Sequence, residues 1–201
     1  KKYPLLYIKK SVDKGNKDAI ARYIQILKNE DGIINKKQLS IYLKMMADIG
    51  DVDSMLEYGK ILLEDVNNEK RYADCDKGYE AYEYFKNAAD HNNIEGMLQC
   101  ARLLFSGELI PMNTTEGAKF IKKAADLGCP DAIANYSRML LLGNGVDRDV
   151  DKALQYLKKS LKLNNSLRLL IYNALFENYG LEPEYCEIEL EDYELDEILI
   201  V

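Results

Sequence analysis

Residues 124–160 read AADLGCPDAIANYSRMLLLGNGVDRDVDKALQYLKKS, and this stretch decides the fold because the rest of the chain repeats it. It contains a helix end rich in small residues, a turn at Gly128, an apolar segment with helical spacing, a Gly-x-Gly-Val loop at 143–146 and a second helical segment. The triplet Ala-Ala-Asp at 124–126 also stands 36 residues upstream, at 88–90. A fixed period of this length indicates an array of helical repeats.

Apolar residues align in columns when the repeats are superimposed, with six extra residues allowed between Glu64 and Gly78 and one fewer before Met46. In the first helix of each unit, three columns at i, i+3 and i+7 mark one face of a helix. They hold Ile20, Met55, Met97, Ile133 and Leu169; Tyr23, Tyr58, Cys100, Tyr136 and Tyr172; and Leu27, Leu62, Leu104, Leu140 and Phe176. In the second helices the aromatic column is Tyr7, Tyr42, Tyr84, Phe120 and Tyr156. These columns predict the core of the array.

Small and turn-forming residues recur in the same register. Ala19, Ser54, Gly96 and Ala132 form a small-residue column in the first helices. Small side chains let helix axes come close, so each unit is predicted to be an antiparallel helix pair. The turn after each second helix holds Gly15, Gly50, Asn92, Gly128 and Asn164, residue types that tolerate the left-handed conformation at a helix end. Asn113 followed by Glu116 is an N-cap signal for a second helix.

The loop and the second helix of the best-formed unit resemble the Sel1-like repeat family, a relative of the tetratricopeptide repeats. The residues that carry the resemblance are Gly143-Asn144-Gly145-Val146, then Asp149-Val150-Asp151-Lys152-Ala153 and Tyr156, which are similar to the family's G-x-G-V, D-x-x-K-A and aromatic positions. The preceding unit keeps Gly107 but has Leu109-Ile110 in place of Gly-Val. The resemblance implies a scaffold or adaptor role, including in signalling and protein quality control.

The predicted fold class is all-α, a right-handed α/α solenoid of about ten helices with four to five Sel1-like units. The solenoid is expected over residues 3–178, with an insertion at 65–76 and an acidic-hydrophobic tail or linker at 179–201. Helices are predicted at 3–14, 17–29, 36–49, 53–64, 77–90, 93–106, 114–126, 130–142, 149–163 and 166–178. The start at Lys1 suggests a fragment that begins in the second helix of a unit, and an uncapped end of this kind could favour self-association.

Composition narrows the setting. With 47% hydrophobic and 30% charged residues the chain is typical of a soluble folded protein, and no apolar run approaches the roughly 18 residues of a membrane span. Cys75, Cys100, Cys129 and Cys186 do not repeat in register, which favours a reducing compartment and predicts a cytoplasmic location.

Charge is concentrated at the C-terminus. Residues 181–201 hold nine of the 34 acidic side chains and none of the 27 basic ones, interleaved with Ile188, Leu190, Tyr193, Leu195 and Ile198. One interpretation is a flexible acidic tail or linker. The other is a peptide that docks in a groove of its own chain or of another copy.

Residues suited to catalysis or to metal binding are sparse, so no enzyme, cofactor or metal is predicted. His91 stands beside the turn residue Asn92, and no pair of Cys or His residues has the spacing of metal ligands. An alternative comes from the resemblance alone: the cysteine-rich branch of the family is associated with weak binding or hydrolysis of β-lactams. The cysteines of this chain, which are out of register, argue against that activity.

A binding surface is predicted on the first helices. Two polar columns run along one face, Arg22, Glu57, Gln99 and Asn135 in the first and Gln25, Lys60, Arg102 and Arg138 in the second. First helices line the concave surface in tetratricopeptide-like stacks, so the resemblance implies that these columns face a groove. The predicted partner-binding residues are Lys60, Gln99, Arg102, Asn135 and Arg138, and the expected ligand is a protein or an acidic peptide, including the chain's own tail. The alternative is an ordinary solvated helix face.

Second helices carry a lysine column of Lys9, Lys44, Lys86, Lys122 and Lys158. A basic ridge can bind nucleic acid or an anionic membrane. The sequence pI of about 4.9 and the absence of aromatic residues interleaved with these lysines on the exposed face favour a solvated ridge instead, so nucleic acid is not an expected partner.

Overall fold

The structure is a computed structural model that describes residue 12 and residues 15–29, 36–68 and 75–161. Within these ranges the protein consists of helices without a strand, as the sequence predicted. The helices are α1 (Lys17–Asn29), α2 (Lys36–Asp48), α3 (Val52–Asn68), α4 (Cys75–Asp90), α5 (Ile94–Ser106), α6 (Thr114–Asp126), α7 (Pro130–Leu142) and α8 (Val150–Leu161). The helices predicted at 3–14 and 166–178 and the tail 179–201 lie outside these described ranges, apart from Val12.

Each helix packs mainly on the helix before it and the helix after it, which is the arrangement of an α/α solenoid. The odd-numbered helices are the first helices of the repeats and the even-numbered helices are the second ones. Side chains also link successive helices of the same kind: Lys28 of α1 reaches Glu57 of α3, and Tyr156 of α8 donates a hydrogen bond to Asp126 of α6. The odd helices therefore form one layer and the even helices the other.

The aromatic columns meet across each helix pair. Tyr23 and Tyr42 pack edge to face with ring centroids 4.9 Å apart, and Tyr58 with Tyr84 and Tyr136 with Tyr156 repeat the contact at 5.0 and 4.9 Å. Edge-to-face contact is a preferred geometry of aromatic rings. In the unit of α5 and α6, buried Cys100 and Phe120 stand at the same two positions. Within the described ranges, the predicted columns therefore form the core of the solenoid.

Helix ends follow the predicted signals. Gly15, Gly50, Asn92 and Gly128 all have positive φ, between 60° and 95°, at the turns that leave the second helices. The side chain of Asn113 caps α6 by accepting a hydrogen bond from the backbone N–H of Glu116 at 3.0 Å. These contacts satisfy backbone groups that a helix end leaves without an intrahelical partner.

Two boundaries next to the segment 65–76 differ from the sequence prediction by two residues or more, whereas the other helix starts and ends, from α1 to the start of α8, agree to within one residue. Helix α3 continues to Asn68, and α4 begins at Cys75, so both ends of the segment 65–76 are helical and only residues 69–74 lie between the described helices. Val66 is buried, which explains why the helix continues past Glu64. No helix within the described ranges is long and apolar enough to cross a membrane.

Candidate partner-binding surface

The five predicted binding residues lie on three successive odd helices. Lys60 belongs to α3, Gln99 and Arg102 to α5, and Asn135 and Arg138 to α7. Lys60, Arg102, Asn135 and Arg138 are exposed, while Gln99 is half-buried. Spacing of three residues places Gln99 beside Arg102, and Asn135 beside Arg138, on one face of each helix. The structure thus presents an amide and a guanidinium on each of two neighbouring odd helices.

Lys60 differs from the other basic residues of this surface because a carboxylate of the next odd helix neutralises it. Its Nζ lies 2.5 Å from Oε1 of Glu95 on α5. Lys28 makes the same kind of contact one unit earlier, 2.6 Å from Oε1 of Glu57. Both pairs are about half exposed, and pairs of this kind stabilise a protein by only about 0–1 kcal/mol. The more important effect of the pair with Glu95 is that Lys60 contributes no free positive charge to the predicted binding surface.

Arg102 and Arg138 keep their charge available. Neither guanidinium takes part in an ion pair with any residue that the structure describes, and both side chains are exposed. A guanidinium offers a planar fork of N–H donors that matches a carboxylate with two parallel hydrogen bonds. Within the column of Gln25, Lys60, Arg102 and Arg138, the available positive charge therefore lies on α5 and α7. In the neighbouring column, Arg22 of α1 is also exposed and in no ion pair of the described ranges.

Gln99 brings an unusual feature to the same place. Its Oε1 is buried and has no hydrogen-bond partner among the described residues. Leaving such an acceptor unpaired costs about 1–3 kcal/mol.

Lysines of the even helices are engaged with their surroundings. Lys44 lies 2.5 Å from Oε1 of Glu80 and its Nζ sits 5.4 Å from the centre of the Tyr58 ring; the hydrogen bond to Glu80 raises its pKa. Lys122 pairs with Asp126 at 2.6 Å. The predicted solvated ridge is thus, at these two positions, a row of compensated charges, and the side chains of Lys9 and Lys158 lie outside the described set.

Residues suited to catalysis lack a suitable setting in the described ranges. Nδ1 of His91 lies 2.8 Å from the carbonyl oxygen of Asn87, one turn back on its own helix. Burial raises the pKa of the Cys100 thiol to about 12, with the charge of Asp90 as a further cause, so Cys100 is a weak nucleophile. Among the described residues no cluster of His, Cys, Asp and Glu could hold a metal ion.

The architecture and the surface together define a class, an α/α solenoid repeat protein with a polar face on its first helices. A family model described as "Sel1 repeat" matches residues 44–93, 94–129 and 130–165, which is more than half of the chain. The chain belongs to the Sel1 repeat family. No curated protein matches this chain in sequence.

Solved structures show the same fold. A protective antigen present in uropathogenic Escherichia coli strains, described as displaying an SLR fold, is 20% identical with a TM-score of 0.66 over 90% of this chain. The chain spans 37% of the length of that antigen. A Sel1 repeat protein from Oxalobacter formigenes is 17% identical with a TM-score of 0.69, and the match covers 88% of this chain and 71% of that protein.

Sequence columns missed two features of the surface. They did not reveal that Glu95 would neutralise Lys60, although an acidic residue early in each following odd helix, Asp53, Glu95 or Asp131, was visible. They also passed over a line of exposed apolar side chains on α2, because those residues occur in one unit only.

Proposed function

We propose that this protein is a non-catalytic scaffold that binds an acidic segment of a partner protein along its odd helices. Sel1 repeat proteins generally mediate protein–protein interactions. The observation that carries the proposal for this chain is the contrast within one column. Lys60 is neutralised by Glu95 of the next odd helix, whereas Arg102 and Arg138 are exposed and in no ion pair of the described ranges.

Ligand chemistry follows from this contrast. Arg102 and Arg138 would each hold a carboxylate, while the amides of Gln99 and Asn135 would bond to the peptide backbone. Packed helix axes are about 8–10 Å apart, and a peptide in the polyproline II conformation rises about 3.1 Å per residue with three residues per turn, so side chains three residues apart lie on one face at about the same spacing. We therefore expect two acidic side chains about three residues apart in the bound segment.

The chain's own tail satisfies this pattern, for example with Glu184 and Glu187 or with Glu191 and Glu194. We propose that residues 181–201 compete with partners for the odd-helix surface. Deleting the tail should then increase partner affinity, measured by titration against the full chain. An unchanged affinity would rule out competition by the tail.

Affinity capture with the full chain and with R102E/R138E tests the main proposal. A control is K119E/K152E, which makes the same change in charge at two exposed lysines of the even helices α6 and α8, of which Lys119 pairs with Glu116 at 2.9 Å. A partner that is retained by the control and lost by R102E/R138E supports the proposal. A partner that both variants retain equally contradicts the assignment to the odd helices.

The proposal also includes a cytoplasmic location and the absence of catalytic activity. Cys75, Cys100 and Cys129 are free thiols, which suits the reducing cytoplasm as the place of action. Weak β-lactam hydrolysis stays the alternative, and no contact in the described ranges favours it. Turnover of a chromogenic β-lactam above a heat-denatured control would be needed to revive it.

A further inference from the structure

Helix α2 and the turn after it expose a line of large apolar side chains. Ile41, Met45 and Ile49 are 52%, 38% and 42% exposed, and their spacing of four residues places them on one face. Single exposed apolar residues are ordinary, whereas a contiguous group more often marks an interaction site. We call these three residues the apolar stripe.

The solenoid itself does not require apolar groups at these positions. The aligned residues of α4 and its turn are Glu83, Asn87 and His91, and those of α6 and its turn are Lys119, Lys123 and Leu127. All six are exposed. Five of them are polar or charged, so the repeat packs equally well without an apolar stripe on its outer face.

An acidic cavity lies beside the stripe, between α2 and α4. Its volume is about 450 Å³, its floor includes Ala47 and Met55, and Asp48, Glu80 and Glu83 contribute carboxylates to its wall. Contacts between the two helices fix their relative height: Lys44 pairs with Glu80, and Tyr84 donates a hydrogen bond to Asp48. Residues 80–84 of α4 therefore lie level with residues 44–48 of α2, next to the C-terminal half of the stripe.

The three carboxylates differ in the hydrogen bonds and ion pairs that they already make. Glu80 accepts from Lys44 at 2.5 Å and from the Tyr58 hydroxyl at 3.2 Å, and Asp48 accepts from Tyr84. Glu83 is exposed and takes part in no ion pair among the described residues. At the opposite end of the stripe, Lys37 lies one turn before Ile41 and is exposed. The surface is thus apolar along its length and most negative beside Met45 and Ile49.

We propose that the apolar stripe and the acidic cavity bind a segment of a partner protein that carries apolar side chains followed by a lysine or arginine. The apolar side chains would cover the stripe, and the basic side chain would enter the cavity toward Glu83. Charge argues against the chain's own tail as the occupant. The tail 181–201 has nine carboxylates and no basic residue, so it would meet Glu83 with like charge.

This surface is independent of the odd-helix surface because it lies on the other layer. A scaffold with both surfaces could hold an acidic segment on one layer and a basic, apolar segment on the other. Substitution of Arg102 and Arg138 should therefore leave the second interaction unchanged.

The experiment uses a display library of random 15-residue peptides, selected on the full chain and counter-selected on I41Q/M45N/I49S. Polar residues at the aligned positions of α4 show that the fold accommodates such changes. The helicity and the urea unfolding midpoint of the triple variant check that it is folded. Recovered peptides are synthesised, and their affinity is measured for the full chain, for the triple variant, for E83K and for the control L127Q/L142Q. The control changes two other exposed leucines.

We expect the recovered peptides to combine apolar residues with Lys or Arg. Their affinity should fall at least tenfold for the triple variant and for E83K, and it should be unchanged for L127Q/L142Q. Recovery of acidic peptides, or equal affinity for the full chain and the triple variant, would overturn the proposal. A dimer in sedimentation velocity that I41Q/M45N/I49S abolishes would also overturn it, because a second copy would then be the occupant.

Discussion

Replacing Gly96 by alanine tests how closely α5 must approach α4. A Cβ atom at Gly96 would lie 2.8 Å from the carbonyl oxygen of Phe85, 2.9 Å from the backbone nitrogen of Ala89 and 3.0 Å from Cβ of Ala88. Two of these three atoms belong to the α4 backbone and cannot turn aside. The two helices would have to separate by several tenths of an ångström to restore van der Waals contact.

Two opposing effects set the size of the change. Inserting a methyl group into a close-packed contact destabilises a protein by about 1–3 kcal/mol. Alanine in place of glycine inside a helix restores about 1 kcal/mol. Because the obstructing atoms are backbone, we expect the first effect to lie in the upper part of its range, about 2–3 kcal/mol, which leaves a net loss of about 1–2 kcal/mol. For a chain of about 200 residues this corresponds to a melting temperature lower by about 2–8 °C.

Urea unfolding followed by circular dichroism at 222 nm measures the loss, and Gly117→Ala is the matched control. It brings the same gain in helix propensity, but the nearest atoms to its Cβ belong to the half-buried ring of Phe105, which can move. We expect Gly117→Ala to be less destabilising than Gly96→Ala. Wild-type or greater stability of Gly96→Ala would refute the claim that backbone approach fixes this contact.

Three further predictions concern single side chains. Tyr156→Phe should reduce the free energy of unfolding by about 1 kcal/mol in urea titrations, because the 2.7 Å hydrogen bond to Asp126 is lost while the ring contact with Tyr136 can remain; an unchanged midpoint would contradict it. Burial raises the pKa of Tyr82 and Tyr156 from 10.0 to about 12, so these hydroxyls lose their protons at a higher pH in the folded state than in the unfolded state. The free energy of unfolding should therefore be constant just below pH 10 and fall between about pH 10 and 12. An unfolding free energy that does not change over this range would oppose the prediction. Cys75 is exposed and Cys100 is buried, so a thiol reagent should modify Cys75 first, as peptide mapping would show, and equal rates would argue against this packing.

The sequence was sufficient for the fold because the repeat presents each structural position several times. Tyr58 and Tyr84 occupy columns that Tyr136 and Tyr156 also occupy, and both pairs form the predicted core contact. The left-handed turns were equally readable, since Gly or Asn recurs at the end of each second helix, and Asn92 adopts a φ of 60° there. Because the same residue types recur at aligned positions, an exception in one repeat does not obscure the predicted position of a helix.

The site was less predictable because charges are paired across helices, and the offset between neighbouring helices is not visible in the register. Lys60 and Arg102 share a column, yet Lys60 has the carboxylate of Glu95 at contact distance, whereas Arg102 is in no ion pair with the residues that the structure describes. The apolar stripe was not predicted from the sequence because it does not recur from unit to unit. Met45 has no apolar counterpart in the other units and Ile41 has only Leu6, so a search for repeated residue types does not find the stripe.

A charge-swap titration tests the assignment of partner binding to Arg102 and Arg138 most directly. The segment of the captured partner is synthesised in its natural form and with its two contacting acidic residues changed to lysine. Each form is titrated into the full chain and into R102E/R138E. We predict at least tenfold weaker binding of the natural segment to R102E/R138E, about 1.4 kcal/mol or more, and recovery with the lysine form. Equal affinity of the natural segment for both proteins, without recovery, would contradict the account.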